Sequence, residues 1–323
     1  GRALQQLMLP LEAENREHQD LYIEGYNFLG PMIGAFVHHL ADECRRLGLT
    51  KLFFFSREGY TFKKVWDICT PVLFPDGNLP ETEYLYVSRM ALAGASCAIE
   101  GLTATSANIA LLPPGNKNFR DIARIFQLDL NALEPHLERH KLTADSVLSQ
   151  LHEGYNQKFT VRLMELLEDS HFQDQIKDQT RDFNKALIRY LTEVGFFVHD
   201  QVAVADIGWL GTIQRFLYNA VKHRPDCPRL HGYVFGATRG IPFQGDLKNS
   251  LTGVIYDRHH FDLGASSILY ARDLFEEACR APHPTIERYQ LSADGYALQF
   301  RTKDDATGRA ELEQDQYYSP LQQ

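Results

Sequence analysis

The chain has 323 residues, 44% of them hydrophobic, enough to bury a sizeable core in one large domain or two closely packed ones; a disordered or fibrous chain is excluded. Its formal net charge of −9 leaves no global basic field to hold nucleic acid or an anionic membrane, although a local cationic pocket is compatible with it. Five scattered cysteines without a CxxC pair argue against a disulfide framework or a structural zinc site and point to a reducing, cytoplasmic setting, and no apolar run reaches the length of a membrane span.

Gly1-Arg2 opens the chain without methionine, and the expectation is a piece of a longer polypeptide. Residues 1–23 are polar and predict a connector or helix ahead of a main domain over 24–302. Leu29, Ile33, Phe36, Val37, Leu40, Cys44 and Leu47 recur at steps of three and four, which predicts an amphipathic helix ending near Gly48. Lys51–Phe55 is a short buried strand that opens into Ser56-Arg57-Glu58-Gly59-Tyr60, and a helical pattern follows at Phe62, Val65, Trp66 and Ile68. Tyr84–Val87 reads as a second strand ending at Ser88-Arg89, with helix-compatible residues over 90–100.

Between about 103 and 180 the pattern predicts a helical insertion, with a Pro113–Asn116 break and short helices at Phe119–Phe126, Leu142–Leu151 and Phe159–Leu167. Phe183, Ala186, Leu187, Tyr190, Leu191 and Val194 mark a further helix capped by Gly195. Val202-Ala203-Val204-Ala205 then has the continuous hydrophobicity of a strand buried on both faces, ending at Asp206 and a turn at Gly208 and Gly211. A helix over Ile213–Val221 and a strand over Leu230–Phe235 follow, the latter leading to Gly236-Ala237-Thr238-Arg239. Residues 249–262 predict another strand, 266–280 a helix, and 286–301 a hairpin turning at Ala293-Asp294-Gly295. The polar tail over 303–323 is expected to fray. Alternating strands and helices predict an α/β fold with a mostly parallel central sheet, flanking helices and a helical insertion, Rossmann-like in plan.

In such sheets ligands bind where strands leave their carboxyl ends, and four strand ends here carry cationic or hydroxyl groups. In Ser56–Tyr60, Arg57 offers a bidentate fork and Gly59 lets the backbone approach an anion, against the plainer reading of a βα turn with a surface Arg-Glu pair. In Asp206–Thr212, Gly208 and Gly211 let amides converge on an anion at a helix start. Asp206 itself could hold ribose hydroxyls, coordinate a metal, act as base, or cap the helix. Trp209, flanked by glycines, reads as a lid or a sugar-stacking face. Ser88-Arg89 and Thr238-Arg239 add to the same edge. His259-His260 has no third metal ligand at a suitable spacing, and Glu276-Glu277 could set a carboxylate nearby. No Walker loop, GxGxxG, nucleophile elbow or Ser-His-Asp order is present. What survives is a site for a phosphorylated small molecule, diphosphate-bearing by preference, with Mg²⁺ as a candidate cofactor.

Leu29-Gly30-Pro31, Phe53–Tyr60, Tyr86-Val87-Ser88-Arg89 and Asp206–Gln214 together resemble the C-terminal half of bacterial two-domain ribofuranosyltransferases over roughly residues 24–290. The resemblance implies a phosphoribosyltransferase-like fold and a glycan phosphoribosyltransferase. Such an enzyme moves 5-phosphoribosyl from phosphoribosyl diphosphate to a glycan hydroxyl in surface polysaccharide assembly. It also implies a separate phosphatase of the haloacid dehalogenase type, whose motif has no counterpart ahead of residue 24, and a cytoplasmic location at or near the inner membrane face. By position, Ser56, Arg57, Glu58, Gly59 and Tyr60 would meet diphosphate, while Asp206, Gly208, Trp209, Gly211 and Thr212 would cradle the 5-phosphate and ribose. Nucleotide-type phosphoribosyltransferases carry two adjacent acids before this loop; Ile207 stands at the second here. A sugar hydroxyl needs a general base, for which Glu58 and Asp206 are the candidates and Glu277 a third. Rival readings are a sugar-phosphate phosphohydrolase, disfavoured by Gly208 two residues after Asp206, and a non-catalytic phosphosugar-binding module.

Overall fold

A computed structural model of the chain describes residues 8–9, 18–112, 117–148, 157–238, 248–260, 262–302 and 306–323. Arg239, the Pro113–Asn116 break and most of residues 1–17 lie outside these. Five strands form one parallel sheet: β1 Lys51–Phe55, β2 Glu81–Leu85, β3 Gln201–Trp209, β4 Arg229–Ala237 and β5 Asn249–Asp257, in the order β2-β1-β3-β4-β5. The fold is therefore α/β with a parallel sheet flanked by helices, as the alternation predicted. Phe53 and Phe55 join one hydrophobic core and Phe54 the other, the period-two signature of a strand buried on both faces.

On one face lie α1 Gly30–Leu47, α2 Gly59–Leu73 and α3 Arg272–Cys279, meeting the sheet through Phe36, Phe62, Phe235 and Phe275. Pro31 sits in the first turn of α1, and Gly48 ends that helix at φ 62, where a left-handed residue lets the following amide return to Cys44 O at 2.9 Å. The opposite face carries α4 Arg89–Ser96, α5 Phe119–Phe126, α6 Ser170–Glu193 and α7 Thr212–Val221. Phe126 and Phe216 meet there at 5.7 Å between ring centroids. The residues predicted as an insertion thus share one core with the sheet. A hairpin of β6 Ile286–Ser292 and β7 Gly295–Phe300 leans on α6, turning where the sequence placed it.

Several boundaries differ from the sequence reading. β3 does not stop at Ala205; its ladder with β4 continues through Gly208↔Gly236 and Trp209↔Ala237, because paired glycines let the two backbones stay close. β2 lies over 81–85 rather than 84–87, and β5 ends at Asp257. α6 begins at Ser170, so an insertion boundary near 180 falls inside a helix; Asp169 caps it by accepting from the His171 amide at 2.9 Å and the Phe172 amide at 3.3 Å. A helix at Leu130–Arg139 went unpredicted, whereas residues 142–148 are turns and a bridge rather than the start of a helix. There Ser146 Oγ accepts from the Thr143 amide at 2.9 Å, a local bond that competes with helix formation. The expected frayed tail is instead a helix, α8 Ala306–Tyr318, followed by a 3₁₀ turn over Ser319–Gln322. Among the described residues no helix is long and apolar enough to cross a membrane.

Candidate active site

Beyond the carboxyl ends of β1, β2 and β3 lies a cavity of about 460 Å³, within the usual range for small-ligand sites. Ser56, Arg57, Glu58, Ser88, Arg89, Asp206, Gly208, Trp209 and Thr212 all line it, so the loops singled out in sequence converge. Gly59, Tyr60 and Gly211 do not. A Cβ on Gly59 would lie 2.9 Å from the Phe54 carbonyl carbon, so this glycine seats α2 against β1 rather than meeting a ligand. Tyr60 packs edge-on against Tyr84 with centroids 6.0 Å apart. Gly211, at φ 67, turns the chain into α7.

The two serines hold loops together. Ser56 Oγ donates to Val87 O at 2.5 Å and accepts from the Val87 amide at 2.8 Å, tying the β1 exit to the β2 exit. Ser88 Oγ caps α4 by accepting from the Ala91 amide at 3.0 Å and donates to Ile286 O at 2.6 Å. Both hydroxyls are thus committed to the scaffold, and what these loops offer a ligand is backbone and arginine. Gly208 has φ 128, and a Cβ there would lie 2.2 Å from Gly236 O, so only glycine fits.

Trp209 is not a free lid. It is 7% exposed and lies over Gly236, where a Cβ would stand 2.3 Å from the indole, and its Nε1 donates to Glu276 Oε1 at 2.6 Å. The glycine across the ladder makes room for a ring that the flanking glycines alone suggested would stay exposed. Glu276 lines the cavity, while Glu277 turns away to Arg280. The acid brought to the site from this pair is therefore Glu276.

Glu58, Asp206 and Glu276 form an interacting acidic set. Burial pushes Asp206 well above the usual aspartate range, with the charges of Glu58 and Glu276 adding to it and the Ile207 amide, 2.8 Å from Oδ1, partly offsetting it. Glu58 is also raised, first by burial and further by Glu276, against an opposing backbone hydrogen bond and nearby Arg280 and Arg57. Such a set holds a proton that a simple surface carboxylate would have released.

Cationic groups surround it. Arg89 and Arg272 line the cavity, are exposed, and make no hydrogen bond or ion pair among the described residues. α7 enters with no side-chain cap, leaving first-turn amides beside cavity-lining Thr212 and Ile213, a geometry that favours an anion. Arg57, by contrast, is 6% exposed and paired with Glu311 and Asp315 of α8. Arg272, Thr285, Arg301 and Glu311 went unread in sequence because they come from segments remote from any strand-end motif.

For Mg²⁺ the fit is to a shared ion. Among the described residues no group of three His, Cys, Asp or Glu side chains is arranged to hold a metal, but the second oxygen of Asp206 has no hydrogen bond there, and one carboxylate with ligand phosphates is an ordinary Mg²⁺ donor set. Comparison with known proteins leaves the geometry to speak for itself: no family model matches the chain, and no curated protein matches it.

Proposed function

We propose that the protein is a glycan phosphoribosyltransferase that moves 5-phosphoribosyl from phosphoribosyl diphosphate to a sugar hydroxyl, acting in the cytoplasm on a bacterial surface polysaccharide alongside phosphatase or other glycosyltransferase modules. The observation that carries this reading is one cavity joining a helix start without a side-chain cap, and arginines with no side-chain partner among the described residues, to buried carboxylates of raised pKa. The start of α7, with Thr212, is the seat for the 5-phosphate, and Arg89, Arg272 and the Arg57 loop meet the diphosphate.

In the reaction the acceptor oxygen bonds to the anomeric carbon as the carbon–diphosphate oxygen bond breaks. The acceptor proton passes to Asp206 or Glu58, and inversion gives a β-ribofuranoside. Arginine charge aimed at the departing oxygens stabilises the largest developing charge. Asp206, with the ligand's phosphates, would hold Mg²⁺ if it is bound, and the ion would add to the neutralisation of the diphosphate.

Incubation with phosphoribosyl diphosphate and a panel of lipid-linked and synthetic glycans, with mass detection of a phosphoribosyl adduct, tests the proposal. Asp206→Asn or Glu58→Gln is expected to slow transfer by about 10²- to 10⁴-fold, the usual worth of a positioned base. Wild-type rates in both variants overturn the base assignment, and the absence of any adduct or donor binding overturns the reading. Donor binding without turnover on any glycan points instead to a binding module.

A further inference from the structure

One end of the cavity is filled by the chain itself. Glu311 accepts from Thr285 Oγ1 at 3.3 Å, from Arg57 Nη1 at 3.3 Å and from Arg301 Nη1, while Asp315 accepts from Arg57 Nη2. Two guanidiniums and a hydroxyl thus converge on one carboxylate, a donor arrangement suited to phosphate oxygens. Arg57, Thr285, Arg301 and Glu311 all line the cavity that also holds Asp206.

The match is incomplete. Among the described residues Arg57 Nε and Asp315 Oδ1 are buried with no hydrogen-bond partner, in side chains only 6% and 8% exposed. Buried ion pairs repay their desolvation only when the remaining donors and acceptors are also satisfied. Burial in fact raises the Asp315 carboxyl above its ordinary range despite the Arg57 charge beside it. The helix carrying these acids is held mainly by charge: only Gly308 is buried along Ala306–Tyr318. The 3₁₀ turn that follows it is fastened by Gln322 Nε2, which donates to Ala278 O at 2.8 Å and Arg280 O at 2.9 Å. Moving α8 away from Arg57 and Arg301 therefore exposes little apolar surface while that anchor, beyond the end of the helix, stays in place.

We infer that Arg57, Thr285 and Arg301 form an oxyanion subsite for a diphosphate group, and that Glu311 and Asp315 occupy it as internal carboxylate stand-ins which the ligand displaces. This rests on the anion-binding reading of the cavity, and not on sugar transfer. The subsite shares its cavity with Arg89 and Arg272, which have no side-chain partner among the described residues, so a diphosphate can meet exposed cations first and exchange with the carboxylates second.

Calorimetric titration of the full chain with inorganic diphosphate tests it, comparing wild type with Glu311→Gln, Asp315→Asn and Glu311→Gln/Arg301→Met. Each single variant is expected to bind at least about tenfold more tightly, a gain of roughly 1.4 kcal/mol, with Arg301→Met removing that gain. Unchanged affinity in both single variants, or a gain that survives Arg301→Met, overturns the inference. A gain of equal size with inorganic phosphate overturns the assignment to diphosphate. Because Asp315→Asn strips Arg57 of a counter-charge and can loosen the fold, thermal unfolding is measured with and without saturating diphosphate. The ligand is expected to raise Tm more in the variant than in wild type; an equal or smaller rise counts against displacement. Transfer from phosphoribosyl diphosphate is assayed separately. Tighter diphosphate binding without transfer sinks the transferase reading alone, whereas transfer with unchanged diphosphate binding sinks the subsite alone.

Discussion

Asp206 and Glu58 make folding stability depend on pH in a direction opposite to that of an ordinary paired carboxylate. Their unfolded values lie near 3.8 and 4.5, and both are raised in the folded protein, burial being the first cause. The native state then holds protons that the unfolded chain has already released, so stability present at acid pH is lost as pH rises towards the native values. Asp206→Asn removes that titration and is therefore expected to stabilise the protein at pH 7 relative to wild type. Urea unfolding at pH 4 and pH 7 checks the sign: the advantage of the variant should grow with pH, and one that shrinks refutes the linkage. A second residue-scale expectation concerns Gly236. A Cβ there meets the Trp209 ring at 2.3 Å, so Gly236→Ala should cost about 1 to 3 kcal/mol and break the Trp209–Glu276 bond, visible as a change in indole fluorescence. Unchanged fluorescence and stability would mean that the ring has room to move. The placement of Arg57, Glu58, Asp206 and Trp209 at one edge was legible in sequence, because each lies at or just past the carboxyl end of a buried apolar run. The seating of Trp209 was not, since it depends on Gly236 in a different strand, and pairing between strands leaves no local trace.

At the scale of elements, the continuous apolar runs of β1 and β3 and the three-four spacing of α1 could be read directly, because packing on both faces or along one stripe imposes a period on the chain. α6 was half hidden. Its first turns bury only Phe172, Ile176 and Thr180 among glutamines, aspartates and lysines, too sparse a stripe to stand out, and its start depends on the Asp169 cap. α8 left still less trace, being docked through acids rather than apolar residues. The cap is open to measurement. Hydrogen bonding from His140 comes first among the causes that lower Asp169 to about 2 from 3.8, with the Phe172 and His171 amides and Arg139 also favouring the charged form against burial. Its contribution is present above the unfolded value and is lost as pH falls through about 2. Asp169→Ala should cost about 1 kcal/mol at neutral pH, typical of a lost cap, with the difference from wild type closing towards pH 2. Asp169→Asn keeps an acceptor for the amides and should cost less. Urea midpoints across this range decide it; a cost for Asp169→Ala that is independent of pH would remove the carboxylate from the account.

Taken as a whole, the molecule carries a net charge of −9 and yet presents arginines at the mouth of its cavity. The two facts are compatible because charge acts over different ranges. At physiological ionic strength the Debye length is about 8 Å, so distant acids are screened while an arginine in contact with a phosphate is not. Arg89 and Arg272 are the informative pair. Both are exposed, and neither has a hydrogen bond or ion pair among the described residues, so the folded protein gains little from their charge. Arg89→Met and Arg272→Met should therefore change the stability of the unliganded protein by no more than about 0.5 kcal/mol, the range of ordinary surface substitutions. Their effect on ligand should be larger, about tenfold in the affinity for phosphoribosyl diphosphate for each, the worth of one charge-assisted contact. Mass action makes this visible without any turnover assay. Ligand at about 100 times its Kd adds roughly 2.7 kcal/mol to the wild-type stability. At that same concentration, a variant weakened tenfold should gain only about 1.4 kcal/mol. Thermal unfolding with and without phosphoribosyl diphosphate compares the two directly. Equal ligand-induced shifts in wild type and both variants would show that these arginines do not meet the anion, and the diphosphate would then have to be sought at the Arg57 end of the cavity.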